Sequence, residues 1–301
     1  MSKVTKGLRA LIAGDGLVPI VGAYDALSAR LVERAGFKVM HVGGYNLSAS
    51  HLGLPDVGYL TLSETVDLTR RIAANTSLPV IADGDDGYGN QLNIGRLIRE
   101  LERAGLAGVH IEDQVFSKRC GHMAGKRLVT ADAFVEKIKA AVDAREDGDF
   151  TIIARTDAIA VEGFDKAIER ANLYSEAGAD VVFVEAPENE EQAAAVPGAV
   201  TRPALYNWCY GGKSPLLSAD EVAAMGYKFI LFTDTLYAVS KTLIELYNKI
   251  KNSGTYLGYG ERMLPFDEFN ELLDLEKVAA LDEKYGDWRA GFSNNQLCAA
   301  W

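Results

Sequence analysis

Short apolar runs alternate with longer amphipathic stretches along the chain. Each short run is rich in β-branched residues and predicts a buried strand; the runs are Val18–Val21, Val39–Val42, Val80–Ala82, Gly108–Ile111, Thr151–Ala154, Val181–Val184, Ala204–Tyr206 and Phe229–Phe232. The stretches between them have helical periodicity, as in Leu92–Ala104, Ala131–Arg145, Phe164–Ala177 and Ala219–Met225. Strands that alternate with helices predict a parallel sheet.

A weak repeat of glycines strengthens this interpretation. Four predicted helices end in Ala-Gly or Met-Gly directly before a strand, at Gly36, Gly105, Gly178 and Gly226. A glycine just past a helix supplies the left-handed cap that turns the chain into the next strand. About eight such units predict an α/β fold that closes into a (β/α)₈ TIM-type barrel. The alternative, an open doubly wound sheet, is disfavoured because no Gly-x-Gly-x-x-Gly follows the first strand.

The chain continues beyond the eighth strand for longer than the barrel needs. A helical stretch over Leu236–Lys251 leads through a turn at Gly254–Gly260 into a second helix, Phe266–Lys284. We predict a barrel over residues 1–253 and a helical extension of the same domain over 254–301. A surplus helix that packs on the barrel or is exchanged between subunits indicates a homo-oligomer, a tetramer or a dimer.

Composition limits the partners and the compartment. The chain has 301 residues, 48% hydrophobic and 24% charged, with a formal net charge of -11, which argues against nucleic-acid and anionic membrane partners. The cysteines Cys120, Cys209 and Cys298 are too few and scattered for a disulfide framework. Without a signal-peptide pattern or an apolar run of roughly 20 residues, we expect a cytoplasmic protein.

Acidic side chains follow two neighbouring predicted strands. Asp83 and Asp85 follow the third strand, and Glu112 follows the fourth. Active sites of parallel barrels form at the carboxyl ends of the strands, and clustered carboxylates are the ligands that Mg²⁺ prefers, with Mn²⁺ as an alternative. These residues could instead cap the helices that follow, but their clustering favours the metal site.

Arg155 and Glu185 end the fifth and sixth strands, and Asn207 ends the seventh. Arg155 and Glu185 could form a buried ion pair without a catalytic role. A guanidinium at the mouth of the barrel also matches both oxygens of a substrate carboxylate. We favour the second interpretation because an acidic protein that binds an anion needs local positive charge.

The segment 117–127 after the fourth strand is basic, punctuated by glycine and contains Cys120. A lone cysteine is most often a small buried hydrophobic residue, but Lys118, Arg119 and His122 are expected to stabilise a thiolate here. Gly121 suits a loop that closes over substrate and excludes water. By contrast, His41 and His110 lie within strand patterns and are expected to be core residues.

Together these motifs resemble the isocitrate lyase / phosphoenolpyruvate mutase superfamily, over about residues 23–283. The segments that resemble it are Asp83–Asn90, Glu112–Gln114, Lys118–His122, Arg155–Ala158 and Val184–Ala186. Lys-Arg-Cys-Gly-His is the most specific motif, and it points to the branch that contains 2-methylisocitrate lyase, 2,3-dimethylmalate lyase and the petal death protein.

The resemblance implies roles residue by residue. It implies a metal sphere of Asp83, Asp85 and Glu112, partly through water, and a general acid, Cys120, with Lys118, Gly121 and His122 as its partners in the loop. The implied substrate-binding and orienting residues are Gly43, Gly44, Tyr45, Asp56, Arg155, Glu185, Asn207, Ser214 and two positions that depart from the family pattern, Tyr210 and Thr233.

The resemblance implies a Mg²⁺-dependent lyase that cleaves a carbon–carbon bond of a 2-hydroxy di- or tricarboxylic acid. The substrate would resemble a 2-alkylmalate or 2-methylisocitrate and would yield a 2-oxo acid and a second carboxylate. Tyr45 is the candidate base for the hydroxyl proton, and Cys120 protonates the departing fragment.

Three departures leave the substrate open. Tyr210 stands where these lyases usually have Glu, Asp86 replaces a small residue of the metal motif, and Thr233 stands where methylisocitrate lyases tend to have Pro and oxaloacetate hydrolases Ser. Thr233 favours an oxaloacetate hydrolase as the second hypothesis. A carboxyphosphonoenolpyruvate mutase-type enzyme and a non-catalytic binding protein on the same scaffold are the remaining alternatives.

Overall fold

Eight parallel strands form a closed barrel in a computed structural model that describes residues 2–285. Each strand pairs with its neighbours in sequence, and β8 pairs with β1. The strands are β1 Val18–Gly22, β2 Met40–Val42, β3 Val80–Asp83, β4 Gly108–Glu112, β5 Thr151–Thr156, β6 Val181–Val184, β7 Ala204–Trp208 and β8 Phe229–Phe232. The predicted fold class is therefore confirmed.

Helices follow the strands as predicted. They are Lys3–Ala13, Ala26–Arg34, Gly44–Leu47, Leu62–Ala73, Gln91–Arg103, Ala131–Ala144, Ile159–Glu162, Phe164–Glu176, Glu190–Ala199, Ala219–Ala224 and Thr235–Ser253, with a π-helical turn at Ser48–Leu52. The four glycines of the repeat, Gly36, Gly105, Gly178 and Gly226, have φ of 85°, 86°, 110° and 94°. They adopt the left-handed conformation that the helix-to-strand turn requires.

The hydrophobic core has an inner and an outer part. Inside the barrel, side chains such as Ile20, Ile81, Phe183 and Leu231 form one cluster with Leu8 of the first helix. Outside it, the strands bury their other faces against the surrounding helices. This layered packing holds the strand ends rigidly, which is what a site assembled from several strands needs.

The chain divides into two compact units, Met1–Ala238 and Val239–Trp301. In the second unit Arg262 bonds Glu245 at 2.7 Å and lies over the ring of Tyr259. The predicted helix Phe266–Lys284 is two helices, Phe266–Leu272 and Leu275–Tyr285. Asp274 interrupts it with a φ of 60°, a left-handed conformation that Asp tolerates better than most residues.

Several predictions concern membrane crossing, the C-terminal extension and the oligomeric state. No helix in residues 2–285 combines the length and apolar character that a membrane crossing requires. Cys298 and the end of the predicted extension, from residue 286 onward, lie outside the described residues. The domain boundary at residue 253 and the homo-oligomer stay predictions.

Candidate active site

The carboxyl ends of the strands surround a small cavity, at the end of the barrel where parallel barrels place their active sites. It brings together most of the predicted site residues. The residues that line it are His41, Gly43, Tyr45, Asn46, Asp56, Asp83, His110, Cys120, Gly121, His122, Arg155, Phe183, Glu185, Asn207, Cys209, Leu231, Thr233, Asp234 and Tyr237.

Buried carboxylates gather around Lys118 beside this cavity. The ammonium of Lys118 lies 2.7 Å from Asp56 Oδ1 and 2.8 Å from Asp85 Oδ1. The backbone N–H of Gly44 donates to Asp83 Oδ2 at 2.9 Å, and a methyl group on Gly44 would lie 3.1 Å from both Asp83 and Asp85. A larger residue at position 44 would therefore crowd these carboxylates.

Burial and neighbouring charges set the protonation of these acids. Burial raises the pKa of Asp85 to about 7, since the attraction of Lys118 offsets it only in part. Burial likewise raises the pKa of Glu112 well above its usual range despite Arg155. Burial also opposes ionisation of Asp83, but His110 and Lys118 outweigh it and hold the pKa of Asp83 well below its usual range.

The donor set fits a magnesium ion held partly through water. Glu112 Oε1 has no polar partner among the described residues, whereas Glu112 Oε2 lies 3.3 Å from Arg155 Nε and Asp85 Oδ1 lies 2.8 Å from Lys118 Nζ. Unpaired buried oxygens are unfavourable unless a cation or water meets them. Residues 2–285 contain no group of three His, Cys, Asp or Glu side chains that could all ligate a metal directly; Mg²⁺ usually needs only one or two carboxylates and keeps several waters.

Arg155 is held by Asp157, a carboxylate to which the sequence analysis assigned no role. Its Nε lies 2.9 Å from Asp157 Oδ2 and its NH2 group 3.1 Å from Asp157 Oδ1, so the two side chains form a fork. NH2 also lies 3.4 Å from Glu185 Oε2. Asp157 follows directly after β5, a position that could have marked it. The ion pair and the predicted substrate clamp are thus compatible, because Asp157 orients the guanidinium.

The basic loop 117–127 packs directly against this ion-pair network. Lys126 donates to Asp157 Oδ1 at 2.9 Å and to the carbonyl of Gly121. A methyl group on Gly121 would lie 2.4 Å from Arg155 NH2 and 2.5 Å from Glu185 Cγ. Only glycine therefore fits at position 121, and Lys126, which sequence reasoning missed, fixes the loop from the other side.

His122 joins the loop to the substrate-orienting residues. Its Nδ1 accepts a hydrogen bond from the backbone N–H of Lys213 at 3.1 Å. Its Nε2 lies 3.3 Å from Asn207 Nδ2 and 3.4 Å from Glu185 Oε1. The predicted partners His122, Asn207 and Glu185 therefore meet at one end of the cavity.

The thiol of Cys120 is protonated at neutral pH. Burial raises its pKa to about 11, and the carboxylate of Asp56 adds to the effect. The prediction that flanking basic residues stabilise a thiolate is wrong, because Lys118 binds Asp56 and Asp85 while Arg119 donates to Ala124 O. A protonated thiol is the form that a general acid requires.

Alkylation of Cys120 by iodoacetamide should therefore accelerate about tenfold per pH unit between about pH 7 and pH 10, because the thiolate fraction grows at that rate below the pKa. Peptide mass spectrometry of quenched samples measures the rate. Cys209 is an internal control that should react more slowly, since burial and Asp234 raise its pKa to about 12. A rate for Cys120 that levels off near pH 8 would show a stabilised thiolate instead.

His41 and His110, expected in the core, line the cavity instead. His41 Nε2 lies 3.1 Å from His110 Nδ1, and His110 Nε2 lies 3.0 Å from Asp83 Oδ1. Burial and the neighbouring His110 lower the pKa of His41 to about 3, so its ring is neutral. The two rings thus form a buried hydrogen-bonded chain that orients Asp83.

Three predicted substrate-binding residues lie apart from the cavity lining: Gly44, Tyr210 and Ser214. The side chain of Tyr210 is 65% exposed, and its backbone N–H donates to Asp234 Oδ2 at 2.5 Å. Ser214 is buried, and its hydroxyl has no hydrogen-bond partner within residues 2–285. Thr233, in contrast, lines the cavity.

Asp86, an acid that follows β3, contacts Lys137. Asp86 Oδ2 lies 3.6 Å from Lys137 Nζ, and the same ammonium donates to the carbonyl of Asp86 at 2.6 Å. Its Oδ1 accepts from the backbone N–H of Tyr88. Lys137 on a neighbouring helix therefore balances the charge that Asp86 introduces.

Comparison with known proteins adds independent findings. The family model described as phosphoenolpyruvate phosphomutase matches residues 8–249. The chain is 42% identical to 2,3-dimethylmalate lyase of Eubacterium barkeri over 94% of this chain and 98% of the relative. It is 46% identical to the petal death protein of Dianthus caryophyllus over 91% and 87% of the two chains. A structure of oxaloacetate acetylhydrolase in complex with the inhibitor 3,3-difluorooxalacetate superposes with a TM-score of 0.88, at 35% identity over 96% and 98% of the chains.

Proposed function

From the premise that this chain belongs to the phosphoenolpyruvate phosphomutase family, we propose that it cleaves a 2-hydroxy di- or tricarboxylic acid in a Mg²⁺-dependent reaction. It is a carbon–carbon lyase of the PEP mutase/isocitrate lyase superfamily. The proposed substrate is of the 2-alkylmalate or 2-methylisocitrate type, and the products are a 2-oxo acid and a second carboxylate.

One observation carries the proposal: a protonated thiol and a buried carboxylate line the same small cavity, and two further buried carboxylates lie beside that carboxylate. The thiol is Cys120 and the lining carboxylate is Asp83; the two beside it are Asp85 and Glu112. Cleavage of a carbon–carbon bond next to a hydroxyl needs charge stabilisation on one fragment and a proton donor for the other. The site supplies both.

Other residues of the site bind the substrate and transfer its protons. Arg155, oriented by Asp157, provides positive charge for a substrate carboxylate, and Glu185 with Asn207 defines the end of the cavity beside it. Tyr237 donates a hydrogen bond to the phenol oxygen of Tyr45 at 3.2 Å, which orients Tyr45, the proposed base for the hydroxyl proton. Cys120 protonates the departing fragment.

Asp83, Asp85 and Glu112 would hold the metal, partly through water. When bound, Mg²⁺ neutralises the negative charge of the substrate and lowers the pKa of its hydroxyl group. Gly121 and Lys126 keep the loop against Arg155 and so exclude water from the reacting carbon atoms.

A hydrolase that acts on oxaloacetate is the second candidate. Thr233 supports it, because its hydroxyl lines the cavity and could hold a hydrated 2-oxo acid. The structural similarity to oxaloacetate acetylhydrolase supports it as well.

An assay of 2-alkylmalates, 2-methylisocitrate, oxaloacetate and phosphonates with mass spectrometry of the products tests the proposal. We expect a 2-oxo acid from a 2-hydroxy diacid, loss of turnover when the metal is chelated, and recovery with Mg²⁺, since Asp83, Asp85 and Glu112 bring more negative charge together than Lys118 alone balances. Release of oxalate from oxaloacetate alone would favour the hydrolase. Full turnover in a metal-stripped sample would refute the metal requirement.

A further inference from the structure

Asn46 presents an unpaired amide to the active-site cavity. The residue is 1% exposed and lines the cavity. Neither its Nδ2 nor its Oδ1 has a hydrogen-bond partner among residues 2–285. A buried amide without partners is unfavourable, so a ligand or an ordered water molecule must meet this group.

The amide is fixed in position by close packing. A methyl group on Gly22, at the end of β1, would lie 2.8 Å from Asn46 Nδ2 and 3.2 Å from the Cα of Thr233, directly after β8. Asn46 also belongs to the short helix Gly44–Leu47, whose first N–H group holds Asp83. The side chain of Asn46 is therefore tightly packed beside the ends of β1 and β8. It cannot easily rotate toward a hydrogen-bond partner in the protein.

The charges around Asn46 disfavour a second carboxylate of the substrate. Arg155 is the one arginine or lysine among the described residues that line the cavity, and it already faces Asp157 and Glu185. Asp234, whose Oδ1 lies 3.5 Å from the hydroxyl of Thr233, adds an acidic group on the Asn46 side. An anion here would lose its hydration without gaining a counter-charge.

We propose that Asn46 is a specificity-determining residue that binds an uncharged hydroxyl group on the substrate. A hydroxyl both donates and accepts hydrogen bonds, so it suits a side chain with an unpaired donor and an unpaired acceptor. The inference rests on the proposed function and narrows its substrate class. The substrate is a 2-hydroxy acid with a hydroxyl-bearing substituent in addition to the hydroxyl next to its first carboxylate.

Three acids that share the malate unit test this inference. They are 2-ethylmalate, 2-(hydroxymethyl)malate and citrate, whose substituents on C2 end in methyl, hydroxyl and carboxylate, respectively. The isomers of 2-ethylmalate and 2-(hydroxymethyl)malate that carry the substituent on C3 are assayed as well. We expect kcat/KM of the wild type to favour a hydroxymethyl acid over its ethyl analogue by about 10²-fold, because a site built for a hydrogen bond rejects an analogue that lacks it. Asn46→Leu, which keeps the size but not the amide, should reduce this ratio to about one.

The ratio of kcat/KM for the hydroxymethyl acid to kcat/KM for its ethyl analogue separates hydrogen bonding by Asn46 from an effect on packing. Asn75→Leu, a substitution of the same kind outside the cavity, is the matched control and should leave the ratio unchanged. An unchanged ratio in Asn46→Leu, an equal loss for all the acids, or a wild-type preference for citrate would overturn the inference. If Asn46→Leu does not fold, as judged by circular dichroism, Asn46→Ala takes its place.

Binding measurements test the role of Asn46 independently of the proposed lyase activity. If the wild type cleaves none of the acids, the proposed function fails for this class. Calorimetric Kd values for the same acids with Mg²⁺ then decide the role of Asn46. A hydroxymethyl preference that disappears in Asn46→Leu supports the inference without any turnover, whereas the lack of a preference in both binding and turnover overturns it.

Discussion

Replacing Cys120 with serine should lower kcat by about 10²–10⁴-fold, the usual contribution of a positioned proton donor. Serine keeps the size of the side chain and its place in the loop, but its hydroxyl is far less acidic than a thiol. Burial raises the pKa of Cys120 to about 11, so the wild-type thiol is protonated at neutral pH and remains a much better acid than serine. Steady-state kinetics with the substrate found in the acid panel measures the effect.

The binding of substrate and metal should hardly change in this variant, because the loss occurs in the transition state alone. Cys209→Ser is the matched control: Cys209 also lines the cavity but has no assigned proton to transfer, so its turnover should stay within about threefold of the wild type. Near-wild-type kcat in Cys120→Ser would leave the loop as a cover for the site and remove the cysteine acid from the mechanism.

Asp157→Asn should lower the free energy of unfolding by about 3–5 kcal/mol, the usual cost of removing one partner from a buried ion pair. The substitution keeps the shape of the side chain but leaves Arg155 and Lys126 without their shared carboxylate. Asp67→Asn makes the same chemical change in an exposed pair with Arg71 and should cost about 0–1 kcal/mol. Denaturant unfolding of the three proteins compares them.

The pH dependence of stability provides a second measure of Asp157. Arg155 and Lys126 lower its pKa despite its burial, so its contribution is present above the pKa of an unfolded Asp, about 3.9, and is lost as the pH falls further. The stability difference between wild type and Asp157→Asn should therefore be constant near neutral pH and shrink in strong acid. Equal stability at pH 7 would show that Asp157 does not hold these cations.

The fold could be predicted because its signals are local. The apolar runs that predict β1 and β8 begin at Val18 and Phe229. They are recognised from the alternation of short apolar runs with amphipathic stretches alone. Gly36 and Gly105 mark turns whose conformation is a property of the residue itself. The break at Asp274 escaped prediction because most residues of Leu275–Tyr285 are good helix formers, and one residue with positive φ leaves no clear pattern.

The site could be predicted only where position along a strand decides the geometry. Asp83 and Arg155 end strands, and both line the cavity. The charge environment of Cys120 could not be inferred, because Lys118 is adjacent in sequence yet directs its ammonium to Asp56, 62 residues away. The unpaired amide of Asn46 was equally invisible, since whether a polar atom finds a partner depends on distant segments such as Gly22 and Thr233.

Because Asp86 and Lys137 contact each other, a substitution at one of these positions changes the environment of the other. Asp86 places a buried carboxylate after β3, and Lys137 meets that carboxylate from a neighbouring helix. Loss of Lys137 would leave the Asp86 carboxylate without its cation in a buried place. The residue at position 137 therefore influences which residues position 86 tolerates.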